Sequence, residues 1–222
     1  MRTCITLPNI HRREIPTKFQ EHDNRFPENL VKFFLDRYTR KGDIIIDIFA
    51  GLGTTFFVAE EMGRVPYGIE YSEDRYLYIK EHAKNKKNII HGDALELLEY
   101  KLPKCDFCIA SPVYMNKDDI ENPYAAYEVE GNYEQYLEDT RKIYSYVKEI
   151  MKPDSYIVIE VSNLKRNSEV TTLAWDIGKI VSEVLHFEGE IIISWTSNGS
   201  QKENGSYGYG YDHSYCLVFR NK

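Results

Sequence analysis

The chain has 222 residues, a net charge of −7 at pH 7, and ordinary hydrophobic and charged fractions of 42% and 28%. This length suits one α/β domain with a substantial core, and the composition excludes disordered and collagen-like proteins. The negative charge disfavours a protein that coats nucleic acid nonspecifically, because phosphate contacts dominate such binding, but it leaves room for a local basic groove.

The chain carries no sign of membrane insertion or metal binding. No apolar run approaches the roughly 20 residues that cross a bilayer, and the N-terminal MRTCITLPNIHRREIP lacks the apolar core of a signal peptide. We therefore expect a cytoplasmic protein without membrane contact. Cys105 and Cys108 form the one CxxC pair, and a zinc ribbon needs two. Because the pair begins an apolar strand, we expect reduced structural thiols and no metal.

Strand and helix patterns alternate after an N-terminal extension of residues 1–25. Helical spacing of apolar residues or helix-end signals predict six helices, at 27–39, 54–63, 72–87, 93–101, 133–152 and 171–185. Apolar runs predict seven strands, at 43–49, 65–71, 88–93, 105–112, 155–161, 188–197 and 214–221. Residues 115–132 are predicted to form a long loop.

This order predicts a Rossmann-like α/β domain spanning residues 1–222, with a mostly parallel seven-stranded sheet and a C-terminal antiparallel hairpin. No repeat or linker indicates a second domain. In such folds ligands bind beyond the carboxyl ends of the strands. The residues at which the strands end are therefore the candidate site.

The first predicted strand ends in a glycine-rich turn. Its candidate cofactor-binding residues are Asp47, Phe49, Ala50, Gly51, Gly53, Thr54 and Thr55. Two glycines let the backbone approach a ligand and expose amides at the helix N-terminus. A Walker loop needs a lysine that is absent here, and the dinucleotide fingerprint needs a third glycine. A diphosphate ligand is thus disfavoured, and a tight turn without a ligand is the alternative.

Acidic residues follow the next two strands. Glu70, followed by Tyr71, can accept hydrogen bonds from both hydroxyls of a ribose. Asp93, followed by Ala94, can accept one from an adenine amino group, although an Asp before a helix is also a common N-cap. The glycine turn and the two acids together predict a nucleoside without phosphates, and we therefore expect S-adenosyl-L-methionine as cofactor.

These residues carry a family resemblance that runs from about residue 22 to the end. The segment FPENLVKFFLDRYTRKGDIIIDIFAGLGTT resembles the cofactor segment of the amino methyltransferases of DNA, which adds Phe26, Pro27 and Glu28 to the cofactor residues. Ser111-Pro112-Val113-Tyr114 is similar to the catalytic Ser/Asn/Asp-Pro-Pro-Tyr/Phe tetrapeptide of that family, and the C-terminal hairpin to that of its cytosine-N4 members.

The chain departs from the family pattern in several ways. Val113 replaces the usual second proline, and Ile48 replaces the proline after Asp47. The cofactor segment precedes the tetrapeptide, which is circularly permuted relative to many cytosine-N4 enzymes. No block of a hundred or so residues is present that would serve as a target-recognition domain, and this bears on the substrate.

The resemblance implies methyl transfer to an exocyclic base amine. Ser111 and the Pro112 carbonyl would accept hydrogen bonds from the amine, and Tyr114 would stack on an unpaired base, making these three the catalytic residues. Ser at the first position is associated with cytosine N4 in this family. The predicted substrate-binding residues are Val113, Tyr207, Tyr209 and Tyr211. For the tyrosines of the hairpin loop, a role as an unstructured loop is an equal alternative.

The predicted partner is nucleic acid, with RNA preferred over DNA. A compact enzyme suits a structured target, and the chain resembles stand-alone archaeal enzymes that modify cytosine N4 in ribosomal RNA, which suggests the small ribosomal subunit. Whether one or two methyl groups are transferred stays open. The alternatives are a DNA cytosine-N4 or adenine-N6 methyltransferase and a cofactor-binding partner subunit without catalysis.

Overall fold

A computed structural model of the chain describes residues 2–21, 23–125, 130–196 and 211–222. The strands within these ranges are β1 (Cys4–Pro8), β2 (Ile44–Asp47), β3 (Val65–Glu70), β4 (Ile89–His91), β5 (Cys105–Ala110), β6 (Met151–Val161), β7 (Leu164–Arg166), β8 (Glu169–Thr171), β9 (His186–Thr196) and β10 (His213–Arg220). The α-helices are α1 (Thr17–Gln20), α2 (Glu28–Tyr38), α3 (Thr54–Glu61), α4 (Glu73–His82), α5 (Tyr133–Ile150) and α6 (Leu173–Val181).

Eight of these strands form one sheet in the order β1-β9-β10-β6-β5-β2-β3-β4. All neighbours in it pair in parallel except β10, which is antiparallel to both β6 and β9. The predicted fold class, a mostly parallel α/β sheet closed by a C-terminal antiparallel hairpin, is confirmed. The short strands β7 and β8 form a separate hairpin that the sequence analysis did not predict.

The sheet has one strand more than the predicted seven. Residues 4–8, assigned above to an N-terminal extension, form β1 and pair in parallel with β9, from Cys4 opposite Ile192 to Pro8 opposite Thr196. An edge strand accepts a proline because one side of its backbone needs no partner. The short segment CITLP lacks a long apolar run, so its strand character depends on β9 rather than on its own pattern.

The sheet is buried on both faces. Side chains alternate across a strand, and accordingly Ile45 packs with α2 on one face while Ile46 packs with α5 and α6 on the other. The free thiols Cys105 and Cys108 are buried in the second of these clusters. Burial raises the pKa of Cys105 to about 12, so it remains a protonated thiol in the core.

Three local features refine the predicted elements. The segment predicted as a helix after β4 is a 3₁₀ helix, Ala94–Tyr100. The predicted loop contains a short 3₁₀ turn, Pro123–Ala125, and a bridge between Glu121 and Glu130. Among the helices that the structure describes, none combines the length and apolarity that a membrane span requires.

The strand order reverses beside β2. After β2 the chain continues to β3 and β4 on one side of it, whereas β5 and β6 lie on the other. The connections after β2 and β5 therefore diverge and leave a crevice at the carboxyl ends of these strands. This crevice is where the glycine turn and the tetrapeptide meet.

Candidate active site

One cavity of about 570 Å³ lies beyond the carboxyl ends of β2, β3, β4 and β5. Its wall contains predicted cofactor-binding residues and the tetrapeptide. The predicted cofactor residues in its wall are Phe26, Asp47, Phe49, Ala50, Gly51, Thr54, Glu70, Tyr71, Asp93 and Ala94. The tetrapeptide residues Ser111, Pro112, Val113 and Tyr114 line it as well. The fold thus brings segments separated by some 60 residues into one site.

The turn after β2 places a buried acid under the cavity. Asp47 ends β2, and its carboxylate accepts a hydrogen bond from the Phe49 amide at 3.0 Å. Burial raises the pKa of Asp47 to about 7, and the nearby charge of Glu70 adds to this, while the Thr55 hydroxyl and the Phe49 amide oppose it. Asp47 therefore holds the turn from below, close to its point of protonation at neutral pH.

Glu70 ties the two neighbouring strand ends together. Its Oε2 accepts from the Gly51 amide at 2.7 Å, and its Oε1 accepts from the Ser72 amide at 2.9 Å. The side chain is buried, and this burial raises its pKa. Gly51 adopts a positive φ of 56°, which turns its amide toward this carboxylate. Both carboxylate oxygens thus have a fixed orientation at the cavity wall.

Asp93 caps a helix and also lies in the cavity wall. Its Oδ1 accepts from the Leu95 amide at 2.8 Å, so it caps the 3₁₀ helix, and it also lines the cavity. Partial burial raises its pKa. Tyr71 stands at the rim with 52% of its surface exposed. The acids after β3 and β4 therefore lie in the wall of the same cavity as the glycine turn.

The tetrapeptide begins where β5 ends, at Ala110. The Tyr114 hydroxyl accepts from the Ser162 amide at 2.9 Å and lies 3.4 Å from Oε2 of Glu160, to which it donates. From the opposite side, the Tyr136 hydroxyl donates to the Val113 carbonyl at 2.8 Å. The segment is thus held by β6 and by α5.

Four predicted cofactor-binding residues do not line the cavity. Pro27 is the N-cap of α2, Gly53 is the N-cap of α3, and Thr55 is buried beside Asp47. Glu28 was predicted to bind cofactor, but its carboxylate accepts hydrogen bonds from the Arg12 and Arg13 amides at 3.1–3.2 Å. In this structure it anchors the N-terminal segment. A hydrogen-bonding partner so far away in the sequence has no local signal.

The hairpin-loop tyrosines are only partly described. Tyr207 and Tyr209 lie outside the described residues. Tyr211 does not line the cavity, and its ring meets that of His213 edge-on at a centroid distance of 5.4 Å. The structure therefore does not bring Tyr211 together with the tetrapeptide.

Several lining residues escaped the sequence analysis. These are Asp23, Asn24, Arg25, Ile48, Leu52, Ile69, Ser72, Arg75, Gly92, Asn116, Pro123, Tyr124 and Leu164. Arg25 forms an ion pair with Asp23 at 2.7 Å just before Phe26. The adjacency of Asp23 and Arg25 to the Phe26-Pro27 motif was an available signal, whereas Tyr124 and Leu164 reach the cavity through tertiary folding alone.

The matching protein family decides the identity of this site. A family model described as DNA methylase, of the N6/N4 methyltransferase type, matches residues 6–81 and 105–222. The chain belongs to this family. Each matched segment contains part of the cavity wall, the first with the glycine turn and Glu70 and the second with the tetrapeptide.

Two curated relatives come from Bacillus amyloliquefaciens. The Type II methyltransferase M.BamHI is 36% identical over 86 residues, which is 37% of this chain and 20% of that protein. The orphan methyltransferase M.BamHII is 32% identical over 99 residues, which is 44% of this chain and 37% of that protein. The chain thus spans well under half the length of the curated relatives that it matches.

Solved structures show the same fold at low identity. TrmN from Thermus thermophilus has a TM-score of 0.63 at 14% identity, covering 91% of this chain and 51% of that one. A SAM-dependent methyltransferase from Archaeoglobus fulgidus has a TM-score of 0.57 at 18% identity, covering 92% of this chain and all of that one. These similarities show the class I methyltransferase fold.

The cofactor of this N6/N4 methylase is S-adenosyl-L-methionine, and the cavity fits it. Thr54, 7% exposed, has a hydroxyl oxygen without a hydrogen-bond partner among the described residues. α3 begins there without a side-chain cap, so its first amides are free donors for a carboxylate. Glu70 and Asp93 would supply carboxylate acceptors for the ribose hydroxyls and for the adenine amino group. The wall thus offers hydrogen-bond donors for the carboxylate of the methionine part of the cofactor and hydrogen-bond acceptors for its adenosine part.

Proposed function

We propose that this protein methylates the exocyclic amine of a base in DNA, with cytosine N4 as the preferred position. One observation carries the proposal: the Ser111–Tyr114 tetrapeptide lines the same cavity as the glycine turn, Glu70 and Asp93. A methyl donor bound by the glycine turn, Glu70 and Asp93 would therefore share the cavity with a base amine bound by the tetrapeptide. Family membership and the two curated relatives support DNA as the polymer.

The tetrapeptide addresses the weak nucleophilicity of the amine. The lone pair of an exocyclic amine is conjugated into the base ring, and holding the nitrogen in line while acceptors engage its N–H bonds makes attack feasible. Ser111 Oγ and the Pro112 carbonyl are the two acceptors. No described residue bonds to the Ser111 hydroxyl, which leaves it available to a substrate.

When bound, the cofactor would supply an electrophilic methyl group on a sulfonium, with a neutral thioether as the leaving group once the amine nitrogen has taken the methyl. The alkylated nitrogen then sheds one proton. Ser111 is partly exposed, so its hydroxyl can accept this proton while releasing its own to water. Tyr114 presents its ring to the base, and its hydroxyl bonds keep that ring in place.

The preference for cytosine N4 rests on Ser111, the residue type that the resemblance associates with that amine. Adenine N6 is the alternative within the same family. A preference for RNA and for the small ribosomal subunit was expected from the sequence, but the family and its curated relatives favour DNA. The TrmN similarity reports the fold and does not favour RNA.

The test is a comparison of polymers with identification of the product. Purified protein is incubated with isotope-labelled cofactor and with double-stranded DNA, single-stranded DNA, total RNA or ribosomal subunits, and nucleosides are analysed by mass spectrometry. We expect N4-methylcytosine in DNA. N6-methyladenine would correct the position, and label confined to RNA would replace DNA as the polymer.

Ser111→Ala separates catalysis from cofactor binding. We expect turnover to fall by about 100-fold, the scale of losing one preorganised polar contact to a reacting group, while calorimetric affinity for the cofactor stays unchanged. A wild-type protein that binds cofactor but labels no polymer would instead support the non-catalytic partner subunit. Equal turnover by wild type and Ser111→Ala would remove Ser111 from the mechanism.

A further inference from the structure

A buried tyrosine on α5 contacts the backbone of the tetrapeptide. The Tyr136 hydroxyl donates to the Val113 carbonyl at 2.8 Å, across 23 residues of sequence. We propose that Tyr136 is a positioning residue for methyl transfer, and that its hydrogen bond gives the Pro112-Val113 backbone the rigidity that a proline at position 113 would supply. This inference rests on the proposed function of the tetrapeptide.

The Tyr136 ring is fixed by its neighbours. It is fully buried and stacks with the rings of Tyr124 and Tyr133, with centroid distances of 5.0 and 5.9 Å and interplanar angles of 8° and 22°. Tyr124 stacks in turn on Phe49 at 5.8 Å, next to the glycine turn. Full burial and two stacked contacts restrict tilting of the ring, and this fixes the direction from which its hydroxyl donates.

The hydroxyl is protonated at neutral pH and can donate. Burial, together with the neighbouring tyrosines, holds the pKa of Tyr136 well above its ordinary value. A buried protonated hydroxyl needs an acceptor, and the Val113 carbonyl accepts from it. The contact is therefore not switched by pH changes near neutrality.

Position 113 is where the tetrapeptide needs external support. The Pro112 carbonyl, which accepts the substrate amine, belongs to the Pro112–Val113 peptide plane. This plane is joined at the Val113 Cα to the Val113–Tyr114 peptide plane, which carries the Val113 carbonyl. The two planes can rotate relative to each other about φ of Val113, whereas a proline would fix that φ near −65°. Because Tyr136 holds the carbonyl of the second plane, the orientation of the first is restricted as well.

The Val113 amide makes no hydrogen bond with the described residues that a proline at this position would remove. The other end of the tetrapeptide is held independently, since the Tyr114 hydroxyl bonds to the Ser162 amide. Loss of the Tyr136 hydroxyl therefore frees the middle of the segment without releasing its end.

The experiment uses the full chain and three substitutions. In Tyr136→Phe the stacked ring stays and only the hydroxyl is lost. We expect kcat to fall by about 10- to 100-fold, because a misplacement of about 1 Å at a reacting group has effects on this scale, with KM for the cofactor within twofold of wild type. Adding Val113→Pro to Tyr136→Phe is expected to recover at least half of the lost logarithm of kcat.

Tyr144→Phe is the matched control. Tyr144 is also fully buried on α5, but its hydroxyl has no partner among the described residues, and we expect an unchanged kcat. A Tyr136→Phe enzyme with kcat within twofold of wild type would overturn the proposal. So would a loss of kcat that Val113→Pro does not reduce, since the defect would then lie elsewhere than in the Val113 backbone.

A readout without turnover separates this inference from the proposed function. Hydrogen–deuterium exchange of a peptide spanning 109–116 should be at least threefold faster in Tyr136→Phe than in wild type and in Tyr144→Phe. If the wild type labels no nucleic acid, the proposed function fails, yet this exchange difference still shows that Tyr136 restrains the segment. Equal exchange in the three proteins refutes the restraint whatever the activity.

Discussion

The two glycines of the turn after β2 differ in what a methyl group at each would meet. A Cβ at Gly53 would lie 2.9 Å from both Ile79 Cγ1 and Phe57 Cε2. A Cβ at Gly51 would meet only the Phe49 carbonyl oxygen, at 3.9 Å, and Gly51 lines the cavity. Both residues have a positive φ, of 82° and 56°. Alanine at either position is therefore strained, but only Gly53 also has a steric penalty.

These contacts set different costs for the two variants. The left-handed conformation costs either alanine about 1–2 kcal/mol. Gly53→Ala also forces buried side chains to shift, which adds about 1–3 kcal/mol. We therefore expect Gly53→Ala to lower the free energy of unfolding by about 2–5 kcal/mol, and Gly51→Ala by about 1–2 kcal/mol.

Cofactor affinity should rank the variants in the opposite order. The new methyl at Gly51 stands in cavity space, so Gly51→Ala should weaken binding of S-adenosyl-L-methionine by at least tenfold, whereas folded Gly53→Ala should bind within about threefold of wild type. Urea unfolding followed by circular dichroism gives the stabilities, and titration calorimetry in the absence of urea gives the affinities. Equal losses of stability, or a greater loss of affinity in Gly53→Ala, would refute this reasoning.

Two further predictions concern buried polar groups. Asp47 has a pKa of about 7 when folded against an ordinary value of 3.8, so the folded state binds the extra proton and stability falls as pH rises between about 4 and 7. Asp47→Asn should remove up to about 4 kcal/mol of this decline in the free energy of unfolding. Urea unfolding at several pH values measures the effect, and Asp36→Asn, at an exposed position, is the control. If stability depends on pH in the same way in the wild type and in Asp47→Asn, the pKa assigned to Asp47 is wrong. Tyr144→Phe deletes a buried hydroxyl that lacks a described partner and should raise the free energy of unfolding by about 1–3 kcal/mol, and a decrease would indicate a partner for that hydroxyl.

Much of the fold was predictable because its signals are local. The apolar runs of β2 and β5 end in turn residues within a few positions, and α2 places Leu30, Val31 and Phe34 on one buried face. Strand–helix alternation then predicts a parallel sheet, and a parallel sheet brings strand ends to one edge. This is why the glycine turn and the tetrapeptide could be assigned to one site before their distance was known.

Two contacts of the N-terminal segment that the sequence did not predict have non-local causes. Glu28 occupies the motif position of a cofactor ligand, but its carboxylate bonds to the amides of Arg12 and Arg13, which come from a segment without a periodic pattern. β1 is a strand because β9 offers it an edge. Neither contact follows from the residues themselves, since each depends on where the N-terminal segment returns to the sheet.

The sequence by itself determined the class of the protein, the order of its main strands and helices from residue 28 onward and the residue types at the strand ends, because each depends on neighbours along the chain. Only the tertiary structure decided how those residues are held. Tyr136 reaches Val113 from α5, and Ser162 reaches Tyr114 from the end of β6. Such contacts depend on side-chain packing between distant segments, for which a single sequence has no periodicity, and they hold the tetrapeptide in place.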